Sequence, residues 1–536
     1  MIIDIRDASV RYRTTGLQVL SDVSLQVGAG DFALVSGPSG CGKSTLLRMV
    51  NGLVPHSYRA EVTGQVNVGG EPVADQTIRQ LSTVVGTLLQ DPHKQIVGAT
   101  VFSELAFGPE NLGLPRADIL ARIEEVAARV GITHLLRRST HELSGGELQM
   151  VAFAGVLVMR PRVVVVDEPL ANLDPAASRR LLTELRGFVH GGGAAVVVEH
   201  RVEELLEFGP TQVLYLEDGR PRYTGDVPGF LRAAPVAHVK LPFEALVARA
   251  DELPEVPAVP RAEGSGVSLD PARLHYQRVA LGYGERPVLR EVDLALGATE
   301  RVAVLGRNGA GKSTLLRAAV RLIEPSAGEV RVDGEPIDER STLSLATTFG
   351  YVFQNPSQAL FSATVGEELA FGPRNLGWTA DRIAEVSEEA LATMLLHHEP
   401  DIMKRSPHTL SYGQQRRLTV ALALAMRPET LILDEPTAGQ DLHTTTTFME
   451  RVLGGLRSVY FITHDVDLAI TSADRIVIVD GGRIVADASP AELAHREELW
   501  AESGLRATSL VRAVRDRLPG TGTIPHPFQL ARLTPQ

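Results

Sequence analysis

The chain is written twice, and that repetition constrains its fold more than any other feature. GPSGCGKSTLLR at 37–48 returns as GRNGAGKSTLLR at 306–317, and SELAFGPENLG at 103–113 as EELAFGPRNLG at 367–377. ELSGGELQ at 142–149 returns as TLSYGQQR at 409–416, and VVVVDEPLANLD at 163–174 as LILDEPTAGQD at 431–441. Lys312 follows Lys43 by 269 residues, Glu435 follows Glu168 by 267, and His464 follows His200 by 264. Four ordered matches with so little drift imply two copies of one fold, separated by small loop changes. A chain of 536 residues is also too long for one hydrophobic core.

The join lies between the copies. Residues 252–266 read ELPEVPAVPRAEGSG, with Pro254, Pro257 and Pro260 stiffening the segment and Gly264 and Gly266 loosening its end. We expect a first domain over 1–234, a Pro/Ala-rich linker over 235–270, a second domain over 271–500 and a C-terminal extension over 501–536. Within the linker, LPFEALVARADEL reads as a short helix. The segment 491–516 reads as a helical pair, and the Pro- and Gly-rich end from Pro519 as a flexible tail.

Each copy runs from an apolar strand into a glycine loop and then a helix, matching G-x-x-x-x-G-K-[ST]. The first loop is Gly37, Pro38, Ser39, Gly40, Cys41, Gly42, Lys43, Ser44 and Thr45. The second is Gly306, Arg307, Asn308, Gly309, Ala310, Gly311, Lys312, Ser313 and Thr314. Such loops curl consecutive N–H groups around phosphate oxygens, and the helix N-terminus adds its positive dipole end. Lys43 and Lys312 would reach the terminal phosphates, and Ser44 and Ser313 would ligate Mg²⁺. Cys41 sits at a variable loop position and reads as a small space-filler. Each copy also ends an apolar strand in Asp-Glu-Pro. Asp167 and Asp434 would hold Mg²⁺, and Glu168 and Glu435 would polarise an attacking water.

In both copies the order is glycine loop, glutamine, LSGGE or LSYGQ, Asp-Glu-Pro, a further Asp and a histidine. It resembles the ATP-binding-cassette (ABC) ATPase family over about 2–230 and 273–500. The resemblance implies an α/β fold of two tandem P-loop nucleotide-binding domains. Each would have an α/β core, an antiparallel β region and a helical subdomain, the latter near 95–160 and 360–425. It implies ATP hydrolysis with Mg²⁺. Tyr12 and Tyr283 resemble the aromatic that stacks on adenine, and Gln90 and Gln354 the glutamine that contacts Mg²⁺ and water. Asp174 and Asp441 resemble the aspartate after the Asp-Glu pair, and His200 and His464 the histidine that touches the γ-phosphate. Ser144, Gly145 and Gly146, with Ser411 and Gly413, resemble the signature that closes on ATP held by the opposite half. The implied pairing is head to tail, joining Lys43 with Ser411 and Gly413, and Lys312 with Ser144 and Gly146. Two departures stand out. Tyr412 replaces a usual glycine, and should lose backbone freedom there and alter the fit over the first glycine loop; Glu147 replaces a usual glutamine.

The phrase ELAFGP-x-NLG resembles the ATPases of energy-coupling factor importers, which take up vitamins or transition-metal ions. There the segment after the glutamine engages a transmembrane coupling subunit, and a separate membrane subunit captures the substrate. Gln95 sits where those ATPases carry a characteristic glutamine, whereas the second copy has Gln358 one position earlier and Ala359 in register. Phe107 and Phe371 belong either to that contact or to subdomain packing. Other readings come from different classes. A ribosome-acting tandem ATPase usually carries a long, highly charged linker, and a DNA-maintenance ATPase usually shows cysteine pairs or coiled-coil insertions. The net charge of −12 argues against nucleic acid as main partner. A single cysteine, no signal-peptide pattern and no long apolar run lead us to expect a cytoplasmic protein, and the importer resemblance implies a peripheral place on the cytoplasmic face of the cell membrane.

Overall fold

The structure, a computed structural model, describes residues 1–170, 173–255, 272–284, 286–437 and 440–534. The proline-spaced part of the expected linker, from 256 on, lies outside the described residues. Those residues fall into two compact units, one of Met1–Leu253 with Asp441–His443 and one of the remainder.

In the first unit, strand β1 (Ile3–Tyr12) alternates core and solvent positions, burying Ile3, Ile5, Ala8 and Val10. That period of two suits a half-buried antiparallel sheet. It pairs with β2 (Gln18–Val27) and β4 (Ala60–Val68), and β5 (Glu71–Pro72) closes the sheet in the order β2-β1-β4-β5. The register slips between Arg6 and Ser9, where Asp7 has φ 47° and Gly64 approaches so closely that a Cβ would stand 2.3 Å from the Asp7 carbonyl oxygen.

The central sheet is built from strands that are mainly apolar and buried between their ends. These are β3 (Phe32–Ser36), β6 (Val85–Leu88), β7 (Val163–Asp167), β8 (Ala194–Val198) and β9 (Gln212–Glu217), with β10 (Arg220–Gly225) on the edge. Their order is β10-β9-β3-β8-β7-β6, parallel except for β10. Continuous apolar runs such as VVVV and AAVVV are what a parallel sheet covered on both faces requires. Helices Val101–Asn111, Arg116–Arg129 and Gly145–Leu157 form the helical subdomain. The second of these buries Ile119, Ile123, Val126 and Ala127, one stripe at helical spacing.

The second unit repeats this plan. Its antiparallel sheet runs Arg286–Gly297, Ala272–Tyr283, Ala327–Val332, Glu335–Pro336. Its core sheet runs Phe349–Val352, Thr430–Asp434, Ser458–Ile462, Arg301–Leu305, Arg475–Asp480, Arg483–Ala488, the first unit's order strand for strand. Its helical subdomain holds Val365–Asn375, Ala380–Thr393 and Tyr412–Ala425.

Two boundaries differ from expectation. The first unit does not stop at 234: helix Phe243–Val247 follows, and Val239, Leu241, Phe243, Leu246 and Leu253 are buried, so this apolar stretch is body rather than linker. The end of the chain is not a loose tail either. Helix Pro527–Leu533 buries Phe528, Leu530 and Ala531, and Ile524 is buried ahead of it. Pro527 at the first helical position and His526 as N-cap explain why a proline here starts structure instead of breaking it. Burial pushes the His526 imidazole down to about 4. The segment 490–517 forms three short helices, Pro490–Ala494, Glu497–Glu502 and Ser509–Arg517, around the buried Trp500, whose Nε1 donates to the Leu493 carbonyl at 2.9 Å.

Candidate functional site

Because β3, β8, β7 and β6 are parallel neighbours, their C-terminal ends share one edge, where open α/β sheets bind ligands. The glycine loop leaves β3, Asp167-Glu168 leaves β7, His200 follows β8 and Gln90 follows β6. The second unit places Gly306–Thr314, Asp434-Glu435, His464 and Gln354 in the same way.

The glycine loops have the shape their sequence implies. Gly37 and Gly306 have φ 153° and 142°, and a Cβ on them would stand 2.1 Å from the Leu216 carbonyl oxygen and 2.0 Å from that of Val479. Gly42 and Gly311 are left-handed and open the helices that begin at Lys43 and Lys312. Both lysines are buried. Lys43 Nζ donates to the carbonyls of Gly37 and Pro38 at 2.9 Å each, and Lys312 Nζ to those of Gly306 and Arg307 at 2.8 and 2.9 Å. Each ammonium thus lies inside its own loop, where a phosphate would meet it. Cys41 is a buried free thiol whose pKa burial pushes up, in keeping with a space-filling role.

The acidic pairs are held to the histidine strands by the backbone. Glu168 and Glu435 sit at φ 44° and 52°, conformations that non-glycine residues rarely adopt and that cluster at functional sites. Their N–H groups donate to Val198 and Ile462, the last residues of the strands that precede His200 and His464. In both units the histidine Nε2 then stands 3.0 Å from the glutamate Oε1. Burial is the largest influence on both glutamates and pushes them up. The histidine and the loop lysine outweigh it and hold each carboxyl below its ordinary value. Asp167 and Asp434 move the other way, raised by burial and by the adjacent glutamate. Two adjacent buried carboxylates with a serine hydroxyl offer only oxygen donors and excess negative charge, which suits a hard cation such as Mg²⁺. Ser313 Oγ donates to Asp434 Oδ1 at 3.1 Å, and Ser44 bonds Asp167 likewise.

The glutamines are not equivalent. Gln90 Nε2 donates to Glu168 Oε2 at 2.8 Å, whereas Gln354 is exposed. The tyrosines differ too. Tyr12 is half-buried against the core, with its hydroxyl 3.2 Å from Thr45 Oγ1, whereas Tyr283 is 52% exposed. Asp174 caps helix Pro175–His190 by accepting from the Ala177 N–H at 2.8 Å, and Asp441 is buried just ahead of helix Leu442–Gly455.

Ser144 and Ser411 are exposed N-caps of the signature helices, each in a capping box with Glu147 or Gln414. Glu147 therefore does the capping work of the usual glutamine. The bonds from Ser144 and the nearby Arg138 hold it ionised against burial. The expected cost of Tyr412 is not met. Gly145 and Tyr412 are both first helical residues, neither has positive φ, and a Cβ on Gly145 would touch nothing within 4 Å. The helix backbone at this position does not call for a glycine.

The chain matches the family model described as ABC transporter over residues 20–171 and 289–438. A relative from Methanosarcina acetivorans, provisionally named an ABC transporter ATP-binding protein, is 33% identical over 92% of this chain and 87% of its own length. One of the same name from Lactiplantibacillus plantarum is 32% identical over 95% of both chains. The solved structure of cbiO1 from Clostridium perfringens, described as part of the ABC transporter complex cbiONQ, is 27% identical over 47% of this chain and 94% of that one, with a TM-score of 0.40. This chain belongs to the ABC transporter ATP-binding family. It is an ATPase with two ABC domains in tandem, and its cofactors are ATP and Mg²⁺.

Several residues of this ABC ATPase escaped the motif reading. Glu104 and Glu368, the glutamates of ELAFGP, are buried and turn back to accept backbone N–H bonds. Glu104 Oε2 takes those of Val97 and Gly98 at 2.8 and 2.7 Å, and Glu368 Oε2 those of Phe361 and Ser362 at 2.9 and 2.7 Å. Their identical spacing from Gln90 and Gln354 was the available signal. Glu199, buried beside His200, accepts from the N–H groups of His200, Arg201 and Leu170, while its counterpart is Thr463. Gln95 is folded onto the end of β6, accepting from Leu89 N–H at 2.9 Å and donating to the Thr87 carbonyl at 3.2 Å; Gln358 is exposed.

Proposed function

We propose that this ATPase drives an energy-coupling factor type importer for a vitamin or a transition-metal ion, from the cytoplasmic face of the membrane. The observation that carries this reading is the surface around each ELAFGP segment. Phe107 and Phe371 are about half exposed, and so are not subdomain core; Val97 and Phe361 beside the same segments are 64% exposed. Phe361 and Phe371 meet edge to face at 4.9 Å between centroids. Large apolar side chains kept in solvent on a buried carboxylate anchor fit a docking surface for a membrane subunit. Among the described residues no helix is long and apolar enough to cross a membrane, so a transport role needs such a subunit.

Coupling has a short, hydrogen-bonded path. Ala99 and Thr140 are joined by the Thr140 N–H donating to the Ala99 carbonyl at 3.1 Å, and Val101 N–H donates to Arg138. Thr140 Oγ1 also donates to the Gly98 carbonyl at 2.7 Å. The docking segment is therefore stitched to the stretch just ahead of the signature serine, Ser144, and a displacement of one moves the other.

At the phosphate end, Lys43 and Lys312 with their loops would bind the triphosphate, and Tyr12 and Tyr283 the adenine side. Ser44 with Asp167, and Ser313 with Asp434, would hold Mg²⁺, with Gln90 and Gln354 at its edge. Mg²⁺, when bound, supplies neutralisation of phosphate charge. Glu168 and Glu435 orient the attacking water and take its proton, and His200 and His464 hold those carboxylates ionised and in place. Ser144, Gly145, Gly146, Ser411 and Gly413 offer a second set of anion-binding hydroxyl and N–H groups.

The test is isolation of the full chain from detergent-solubilised membranes. Two integral membrane proteins held through Phe107 and Phe371, and ATP-dependent uptake after reconstitution, are expected. Cosedimentation with ribosomes, without membrane partners, would replace transport by the ribosomal reading. Separate Glu168→Gln and Glu435→Gln chains should each lose turnover; full activity in either shows that site to be dispensable.

A further inference from the structure

The two units hold their metal-side carboxylates differently. In the second, both oxygens of Asp434 carry a donor: Ser313 Oγ on Oδ1 at 3.1 Å, and Tyr351 Oη on Oδ2 at 3.2 Å. Tyr351 lies on strand Phe349–Val352, paired across to Ile432, two residues before Asp434, so the sheet register itself delivers the phenol. Its ring is braced edge-on by Phe353, 4.9 Å between centroids. Arg317, on the helix that begins at Lys312, lies near the Tyr351 hydroxyl, and its Nη1 donates to Tyr283 Oη at 3.2 Å. A line of neighbours thus runs Tyr283, Arg317, Tyr351, Asp434, Ser313, hydrogen-bonded from Tyr283 to Arg317 and from Tyr351 to Ser313.

The first unit has the same strand and helix but not the line. Thr87 occupies the place of Tyr351, and its Oγ1 accepts from Asn51 Nδ2 at 3.2 Å. Arg48, in the place of Arg317, lies over the Tyr58 ring at 4.8 Å. The Tyr12 hydroxyl is paired with Thr45.

We infer that Tyr351 is a positioning residue that fixes the metal-side carboxylate Asp434 and sets the Mg²⁺ requirement of the second unit through a phenol the first unit lacks. This rests on the reading of Asp434 as a metal carboxylate. A carboxylate with a donor on each oxygen cannot rotate away from the position in which it meets the cation. Partners of this kind, one bond removed from the metal, are typically worth about 10–100-fold in metal affinity. Because the line ends at Tyr283, the same arginine also relates the adenine side to the metal side.

The experiment uses the full chain carrying Lys43→Ala, which leaves the second unit as the nucleotide-binding one. Equilibrium binding of a fluorescent ATP analogue is followed over a range of free Mg²⁺, with Mn²⁺ binding read by electron paramagnetic resonance. Tyr351→Phe keeps the ring and removes the donor. It should raise the half-saturating Mg²⁺ and Mn²⁺ concentrations about tenfold, while nucleotide affinity in EDTA stays unchanged. Tyr351→Thr, which copies the first unit, should behave alike. An unchanged metal requirement overturns the inference, and so does an equal loss of affinity with and without metal, which is the mark of a structural role. Asp434→Asn separates the two levels. If it leaves the metal requirement unchanged, the reading of Asp434 fails and Tyr351 falls with it. If it raises the requirement and Tyr351→Phe does not, only the Tyr351 inference falls.

Discussion

Replacing Glu104 with alanine should loosen the docking segment without unfolding the domain. The carboxylate accepts two backbone N–H bonds, from Val97 at 2.8 Å and Gly98 at 2.7 Å. Hydrogen bonds to a charged group contribute about 1.5–3 kcal/mol each. Val97 is 64% exposed, so water can reach the freed N–H groups, which places the combined loss at the low end of the two together, about 3 kcal/mol. With about 1.4 kcal/mol per factor of ten, the local opening equilibrium rises about 140-fold. Hydrogen exchange resolved to residues 96–99 reads this directly, because exchange reports local opening free energies. Glu104→Gln keeps the shape and one acceptor oxygen, and should accelerate exchange by about the square root of that factor. Glu368→Ala should do the same to Phe361 and Ser362 in the second unit. Turnover of the isolated chain should hold, while stimulation by a membrane partner falls. The reasoning fails if exchange at Val97 and Gly98 is unchanged. It fails also if helix Val101–Asn111 and the core strands open together, since Glu104 would then support the subdomain rather than the segment.

Phe107→Ser with Phe371→Ser should change stability by less than about 0.5 kcal/mol, because exposed side chains leave little packing behind; co-isolation of membrane partners should be lost, and denaturant melting checks the first half of the statement. Gly306→Ala should abolish nucleotide binding to the second unit, since its Cβ would stand 2.0 Å from the Val479 carbonyl oxygen. Gly309→Ala meets no atom within 4 Å and pays only for its φ of 79°, about 1–2 kcal/mol, so its binding should survive in a titration of the same analogue. Glu435 is held below its ordinary value of 4.5 because His464 and Lys312 outweigh burial. Its stabilisation is therefore present above 4.5 and lost as pH falls through the folded value. Glu435→Gln removes that term, so the stability difference between wild type and variant should shrink on acidification below 4.5, measured by denaturant unfolding at pH 7 and pH 4.

The sequence made legible whatever is fixed by a local pattern. A strand running into a glycine loop and a helix has one backbone solution, so Lys43 and Lys312 stand where the motif puts them. Asp-Glu at a strand end and a histidine at the next strand end meet because parallel strands share an edge. The S-x-x-E pattern at Ser144 was equally readable as a capping box, which makes Glu147 an ordinary choice there. At Tyr412 only the backbone expectation failed: a glycine common at a position suggests positive φ, whereas here the position is helical. The tail was misread from its proline and glycine content. An apolar triplet, Ile524, Phe528 and Leu530, decides its packing, and Pro527 opens the helix. What stayed hidden were pairs joined only by the folded sheet: Tyr351 with Asp434 is separated by 83 residues, and Gln90 with Glu168 by 78. No period or spacing in the sequence relates such residues.

The two units keep the reacting groups alike and differ in what braces them. Lysine on loop carbonyls, serine on aspartate, and histidine 3.0 Å from glutamate occur in both. The first unit adds Gln90 on Glu168, and its buried Glu199 accepts from the backbone N–H of His200. The second leaves Gln354 exposed and has Thr463 beside its histidine, but adds Tyr351 on Asp434 and the buried Arg416 near Glu435. Arg416 stands where the first unit has the neutral Gln149. Across the acidic pair, among the described residues, the two copies thus differ by one side-chain bond each, Gln90 on Glu168 in the first and Tyr351 on Asp434 in the second, while the lysine, the histidine and both acids are the same.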